Sequence, residues 1–265
     1  MKYFYKASAI VLICVLFVYA GCKKSGLNKS SKTASEKVVA GIVVSNLTKS
    51  LAGTYGGVSI KDGINPPSQI TASSSKLKLN SLSSLCGYTI DTTVTYTSNL
   101  GDSVKSKVTG KFSFTFTCSG SYPDGYKVKT KVVSKGKAPG YAFIYSIVQN
   151  YKVQALNAEY SLVSLDGILK SYGDFSDNPS AYVDTNYVSN NYQHQDYVLS
   201  NLKIDVAHGY DITSGTASFT SVGANAYGSW NYVGTIEYVG NHKAIITING
   251  HVYNADLLTG VITPA

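Results

Sequence analysis

The sequence contains no arginine, since all 23 of its basic residues are lysine. Lysine lacks the planar guanidinium group that binds phosphate or carboxylate at two points. Phosphoryl transfer and base-specific DNA reading are therefore disfavoured, and we expect no nucleic-acid partner. Glutamate occurs three times and methionine once, so long solvated helices are not expected either.

Common catalytic motifs are also missing. The chain has no GxSxG, HExxH, CxxC, P-loop or dinucleotide-binding fingerprint. We assign no catalytic residue and no cofactor, and we expect a protein that is not an enzyme. Two of the histidines, His242 and His251, fall near opposite ends of one predicted hairpin, roughly 20 to 30 Å apart at the rise of a strand, so no metal site is expected. The full set of histidines is His194, His208, His242 and His251.

What the sequence does contain favours pleated sheet. Tyrosine occurs 22 times and glycine 24 times, and serine, threonine and valine are abundant. We predict a mainly β, single antiparallel meander domain over 34–265, as a curled sheet, half-barrel or sandwich, with one N-terminal helix near 34–52. Ser35 can cap that helix and Gly53 can end it. Its apolar stripe comprises Val38, Val39, Ile42, Val43, Leu47 and Leu51.

Charge is distributed unevenly along the chain. Residues 22–140 contain 17 lysines and 5 acids, whereas residues 141–265 contain 4 lysines and 10 acids. The basic half could face anionic lipid headgroups, or its lysines could simply solubilise the strands. Within it, Lys127, Lys129 and Lys131 alternate with apolar or hydroxyl residues and so share one strand face. A polyanion site is one possibility there, and a solvent face or protected edge is the other, which we favour.

The N-terminus has the pattern of an export signal. Lys2 and Lys6 precede an apolar run over 7–20 that ends in Gly21 and Cys22. The tetrapeptide Tyr19-Ala20-Gly21-Cys22 resembles the lipobox of bacterial lipoproteins, although the family usually has leucine where this chain has Tyr19. Residues 1–21 are thus predicted to be a signal peptide, and residues 22–33 a flexible tether.

The lipobox resemblance implies that Cys22 is acylated and becomes the N-terminus of the mature chain, while Cys14 leaves with the signal peptide. Lys23 and Lys24 follow, instead of the aspartate that retains such proteins in the inner membrane. The resemblance therefore implies a lipid-anchored protein of the outer membrane, with the membrane as a partner.

The two remaining cysteines, Cys86 and Cys118, are expected to form a disulfide in an oxidising compartment. If they lie opposite each other on two antiparallel strands, the residue numbers of every cross-strand pair sum to 204. Ile90 then pairs with Phe114, Tyr88 with Phe116 and Tyr96 with Val108, so that every one of these pairs is apolar. A turn is expected over 100–104. This register places Phe112, Phe114 and Phe116 on the buried face.

Farther along, the run from Tyr141 to Val153 is apolar at both parities, which predicts a central strand covered on both faces. Asn249-Gly250 is a strong hairpin signal that pairs Ile248 with His251. The predicted C-terminal strands are 199–206, 215–222, 229–239, 243–248 and 251–257. The closing stretch ITINGHVYNADLLTG resembles that of uncharacterised exported β-rich lipoproteins, a resemblance that implies no activity.

The segment from Gly173 to Asp196 is rich in Asp, Asn and Tyr, which predicts a long loop. Its tyrosines could stack on a sugar ring, so Tyr182, Tyr187 and Tyr192 are candidate ligand-binding residues. The first hypothesis is therefore a non-enzymatic binding or structural lipoprotein, with a glycan as a candidate ligand. The alternatives are a carrier of lipid or another apolar ligand in a curled-sheet cavity, and a carbohydrate-active enzyme with paired aspartates such as Asp174 and Asp184.

Overall fold

The computed structural model describes residues 32–65, 85–99, 105–138, 140–176 and 191–265. They form one 11-stranded antiparallel sheet in which every strand pairs with its neighbours in the sequence. The predicted fold class is confirmed, and the single sheet, which is not closed, favours the curled-sheet form. The strands are β1 Thr89–Asn99, β2 Lys105–Ser119, β3 Tyr122–Ala138, β4 Tyr141–Ala155, β5 Leu162–Ser176, β6 Asn191–Asp205, β7 Asp211–Asn225, β8 Gly228–Gly240, β9 Lys243–Ile248, β10 His251–Asp256 and β11 Ile262–Pro264.

The first hairpin has the predicted register. Ile90 pairs with Phe114 and Tyr96 with Val108, and the phenylalanines of β2 are buried. A disulfide joins Cys86 to Cys118, as the register predicted. Tyr88 differs from the expectation, because it precedes β1 and its side chain is exposed although its parity is that of the core. The predicted turn over 100–104 lies outside the described residues.

One helix, α1 (Glu36–Leu51), packs on the inner face of the sheet. Ser35 caps it, since its hydroxyl accepts a hydrogen bond from the Val38 amide at 3.4 Å. Gly53 follows the C-terminal cap with a φ of +72°, a conformation that favours glycine. The apolar stripe of α1 buries Val43 and Leu47 completely against the sheet, so that α1 and the inner sheet face form one core.

The C-terminal strands continue the sheet, and β8 to β11 contact α1. In the hairpin of β9 and β10, Ile248 pairs with His251 and Ala244 with Ala255, which confirms the predicted register. Asn249 and Gly250 both have positive φ, at +50° and +86°, as a two-residue turn of this type requires. The inward side chains of β9 are buried, but His251 projects beside α1 and stays largely exposed.

Two predictions are wrong in detail. The strand over 141–153 exists as β4, but its outward residues Ile144 and Val148 are only half-buried, because nothing among the described residues covers that face. The predicted loop over 173–196 is strand at both ends, since β5 continues to Ser176 and β6 begins at Asn191. At both ends of this segment, the polar residues alternate with residues that point into the core, so these residues extend the strands of the sheet. Residues 177–190 lie outside the described residues.

The core also contains buried polar side chains. Gln149 of β4 accepts hydrogen bonds from the Val58 amide and the Thr130 hydroxyl, at 2.8 and 3.0 Å, and donates to the Val58 carbonyl at 2.9 Å. Asn46 of α1 bonds to Tyr145, and its carbonyl accepts from Tyr197 at 3.1 Å. These bonds fix α1 and the segment after it to the middle of the sheet.

Candidate ligand-binding surface on the outer sheet face

Only some of the residues predicted to have functional roles lie in the described part of the structure. Tyr192 is half-buried in β6, on the outward face of the sheet, and not in a loop. Asp174 lies directly opposite it on β5. The predicted signal peptide, most of the tether and the remaining candidates, namely Cys22, Tyr182, Tyr187 and Asp184, lie outside the described residues.

An aromatic group surrounds Tyr192 on the outward face of β5 and β6. Tyr172 lies opposite His194, with the ring centroids 6.4 Å apart, and the Tyr172 side chain is 41% exposed. Asp196 and Lys170 form the next cross-strand pair. We call this set the aromatic patch, and its members are Lys170, Tyr172, Asp174, Tyr192, His194 and Asp196.

Hydrogen bonds fix the polar members of the aromatic patch. The Tyr172 hydroxyl donates to Asp174 Oδ2 at 3.2 Å, while Asp196 accepts from Lys170 Nζ at 2.9 Å and from His194 Nε2 at 3.1 Å. Partial burial, with the nearby Asp174 carboxylate, raises the pKa of the Tyr172 phenol. The phenol is thus a hydrogen-bond donor at neutral pH, and its ring lies among oriented charges.

A second feature of the outward face is a groove across β1 to β4. Its volume is about 760 Å³, and it is open to solvent. Exposed Lys111, Lys129 and Lys131 line it, and Asp91 is the one carboxylate among the described residues that line it. We call it the lysine groove; its other outward lining residues are Thr93, Ser113, Val148 and Asn150.

Lysines lie directly opposite one another in and beside this groove. Lys111 pairs with Lys131, and Lys107 pairs with Lys135, across the β2–β3 ladder. Residues in such positions have Cβ atoms about 4.5 to 5.5 Å apart, and like charges there are destabilising. No ion pair within 4.0 Å joins any of these four lysines to a carboxylate among the described residues. The groove is therefore a concentrated positive region, with three lysines and one carboxylate among its described lining residues.

Each of the four histidines lies beside one carboxylate. His194 contacts Asp196 and His208 contacts Asp205, at 3.1 and 3.0 Å, while the other two contact Asp211 and Glu36. Within the described ranges, no group of three or more His, Cys, Asp or Glu side chains could hold a metal ion. In the same ranges, no helix combines the length and the apolar character needed to cross a bilayer.

Sequence reasoning missed most of the aromatic patch. Lys170 and Tyr172 precede the segment 173–196 that was interpreted as a loop, and His194 was considered only as a metal ligand, so their cross-strand relation was not predicted. The signal was present in the alternation of Tyr192, His194 and Asp196 with Gln195 and Tyr197. The first three point outward, and the last two are buried.

In comparisons with known proteins, no family model, no curated protein and no solved structure matches this chain.

Proposed function

We propose that the protein is an exported, lipid-anchored binding module that recognises glycan with the outward face of its sheet. The supporting observation is the aromatic patch. It sets the partly exposed ring of Tyr172 beside His194 and places the charged groups of Asp174 and Lys170 around it. An aromatic face presents an apolar surface to the C–H face of a sugar ring, while neighbouring polar groups bond to its hydroxyls.

The membrane anchor in this proposal depends on the lipobox resemblance at Cys22. The chain enters the sheet at Thr33, which forms a parallel bridge with Ser229 at the start of β8. β6 and β8 run in the same direction, so Asn191 begins its strand at the same edge of the sheet. A tether leaving from Thr33 would start at the edge where the aromatic patch lies.

The packing of α1 favours a binding module over the carrier alternative. A carrier needs an apolar space that can empty and fill, whereas here the side chains of Val43, Leu47 and Leu51 fill the inner face and are fully buried. Aspartates of the aromatic patch are already bonded, with Asp196 accepting from both Lys170 and His194. Both carboxylate oxygens of Asp196 are therefore occupied by protein donors.

A glycan-binding experiment tests the proposal. The processed full chain in detergent micelles is incubated with cellulose, chitin, peptidoglycan and a printed glycan array, and binding is compared between Tyr172→Ala and Tyr172→Phe. We expect Tyr172→Ala to weaken binding about tenfold, because the stacking surface is lost, and Tyr172→Phe to retain most of it.

Tyr122→Ala is the matched control, since Tyr122 is exposed at the start of β3, at the opposite edge of the sheet from the aromatic patch. Binding that falls equally in Tyr172→Ala and Tyr122→Ala would contradict the proposal. The absence of binding to every glycan tested would contradict it as well.

A further inference from the structure

We infer that the lysine groove binds a linear acidic polysaccharide, so that the glycan recognised by this protein bears carboxylates. This inference rests on the proposed function and specifies the chemical class of its ligand. It depends on different residues, however, on β1 to β4 instead of β5 and β6.

Charge complementarity is the first argument. Lys111, Lys129 and Lys131 line the groove against the single carboxylate of Asp91 among the described lining residues. The direct pairing of Lys111 with Lys131 costs stability in the free protein. An anion between the two ammonium groups would turn that repulsion into attraction, so the groove is best suited to a ligand that bears repeated negative charge.

The hydrogen-bonding side chains of the groove are the second argument, and they favour a polymer over a membrane surface. The open groove of about 760 Å³ crosses four strands and has room for sugar units. Its outward lining includes the hydroxyl groups of Thr93 and Ser113 and the amide of Asn150, which can bond to sugar hydroxyls. Binding to lipid headgroups would require only the lysine charges and none of these hydroxyl and amide groups.

The third argument is that the groove and the aromatic patch lie on one continuous line of the sheet. Lys131 pairs with Val148 of β4, and Val148 pairs with Lys170 of β5, which belongs to the aromatic patch. Neighbouring strands are about 4.8 Å apart, so Lys131 and Lys170 are separated by about 10 Å across the sheet. A single extended polysaccharide can therefore lie along both features.

The absence of arginine fits this ligand class. Lysine presents a compact charge on a flexible stem and does not impose the two-point geometry of a guanidinium. A row of lysines thus recognises the charge density of a polymer in many registers, as binding along a repeating acidic chain requires. The recognition should depend strongly on salt, since exposed charges are screened.

Polygalacturonate and its carboxyl-reduced form are suitable probes, because they share a backbone and differ in charge. Affinity is measured for the processed full chain, in detergent micelles, at low and high salt. The test variant is Lys111→Gln/Lys131→Gln. Its control is Lys37→Gln/Lys243→Gln, which removes the same charge from exposed positions on α1 and β9.

We expect wild type and the control to bind polygalacturonate alike, and the test variant to bind it about five- to tenfold more weakly. Carboxyl reduction of the polymer should weaken wild-type binding to at least the same degree. Thermal unfolding of the test variant should occur at or above the wild-type temperature, because a like-charge pair is removed. A loss of binding therefore cannot be ascribed to unfolding.

Three results would overturn the inference. The first is an equal loss in the control variant, which would mean attraction to net charge alone. The second is unchanged binding in the test variant. The third is competition by the membrane, measured with the lipidated chain in phosphatidylcholine nanodiscs. If the lysines bind lipid headgroups instead, adding anionic phosphatidylglycerol to the nanodiscs will weaken polymer binding about tenfold.

The same measurements distinguish this inference from the proposed function. If the carboxyl-reduced polymer binds with full affinity and Tyr172→Ala abolishes that binding, the aromatic patch is a glycan site and the acidic specificity is wrong. If Lys111→Gln/Lys131→Gln weakens binding but Tyr172→Ala does not, the groove is the site and the aromatic patch is not.

Discussion

Glu36 in the first turn of α1 accepts a hydrogen bond from His251 of β10, with 2.6 Å between Oε2 and Nδ1. Asn249 donates to the other carboxylate oxygen at 2.9 Å, and the Tyr253 hydroxyl donates to Oε2 at 3.2 Å. The start of the helix is thus joined to the last hairpin by one carboxylate, which also lies favourably at the positive end of the helix dipole.

Stability should depend on pH through Glu36. The hydrogen bond from Asn249, with those from His251 and Tyr253, holds the pKa of this carboxyl below its ordinary value of 4.5, although desolvation acts the other way. Because the folded-state pKa is depressed, the stabilisation is present above the unfolded pKa and is lost as pH falls through the folded one. We expect Glu36→Gln to lower the melting temperature at pH 6 and the difference from wild type to shrink below pH 4.

Glu159→Gln is the control for this titration. Glu159 is exposed in the turn before β5, so its variant should melt with wild type at every pH. A Glu36→Gln deficit that stays constant from pH 7 to pH 3 would show that the charge of the carboxylate does not contribute.

Two buried glutamines should respond differently to the same substitution. Gln149 uses its amide fully, through Val58, Thr130 and Tyr151. Gln195 is equally buried, but its Nε2 has no hydrogen-bond partner among the described residues, and its Oε1 faces only the Ser171 hydroxyl. Gln149→Leu should cost about 2 to 4 kcal/mol because it leaves the buried Val58 amide and the Thr130 hydroxyl without their acceptor.

Gln195→Leu removes an unsatisfied donor along with one hydrogen bond, so its cost should stay within about 1 kcal/mol. Urea denaturation of both variants, with comparison of the transition midpoints, measures the difference. Equal destabilisation by the two substitutions would contradict the hydrogen-bond assignment.

Sequence reasoning succeeded where local chemistry determines the structure. Alternation along β2 identified Phe112, Phe114 and Phe116 as core, and the Asn249-Gly250 turn allowed only one register for the last hairpin. A strand has a period of two, so a slip of one residue would expose every buried side chain. Those pairings therefore followed from short segments alone.

The outward sites depend on strands that are distant in sequence, so short segments could not reveal them. Tyr172 and His194 become neighbours only when β5 pairs with β6, across the segment 177–190. Lys131 was visible as one of three lysines on a strand face, but its direct opposition to Lys111 depends on the register between β2 and β3. A bulge between Thr117 and Cys118 shifts that ladder, and the sequence gives no clear sign of it.

Lipid attachment at Cys22 gives a direct test of the proposed anchor. Cells that express the chain are labelled with radioactive palmitate, and we expect label in the wild-type protein and in Cys118→Ser but none in Cys22→Ser, because diacylglycerol is attached through the sulfur of Cys22. The Cys22→Ser chain should also retain its apolar segment over 7–20 and migrate as a larger species. Equal labelling of Cys22→Ser and wild type would exclude this anchor.

Two glycines with positive φ should differ in how much they tolerate a methyl group. Gly167 has a φ of +144° at a bulge in the β5–β6 ladder, and a Cβ there would come within 2.4 Å of the Asn150 carbonyl oxygen. Gly250 has a φ of +86°, and a Cβ there would meet no atom within 4 Å. Gly167→Ala therefore combines backbone strain with a clash against β4, whereas Gly250→Ala has strain alone. We expect a loss of about 3 to 5 kcal/mol for the first variant and about 1 to 2 kcal/mol for the second, measured by urea unfolding. If Gly250→Ala proved the more harmful, the close approach of β4 and β5 at this bulge would be wrong, and with it the β4–β5 register that pairs Val148 with Lys170.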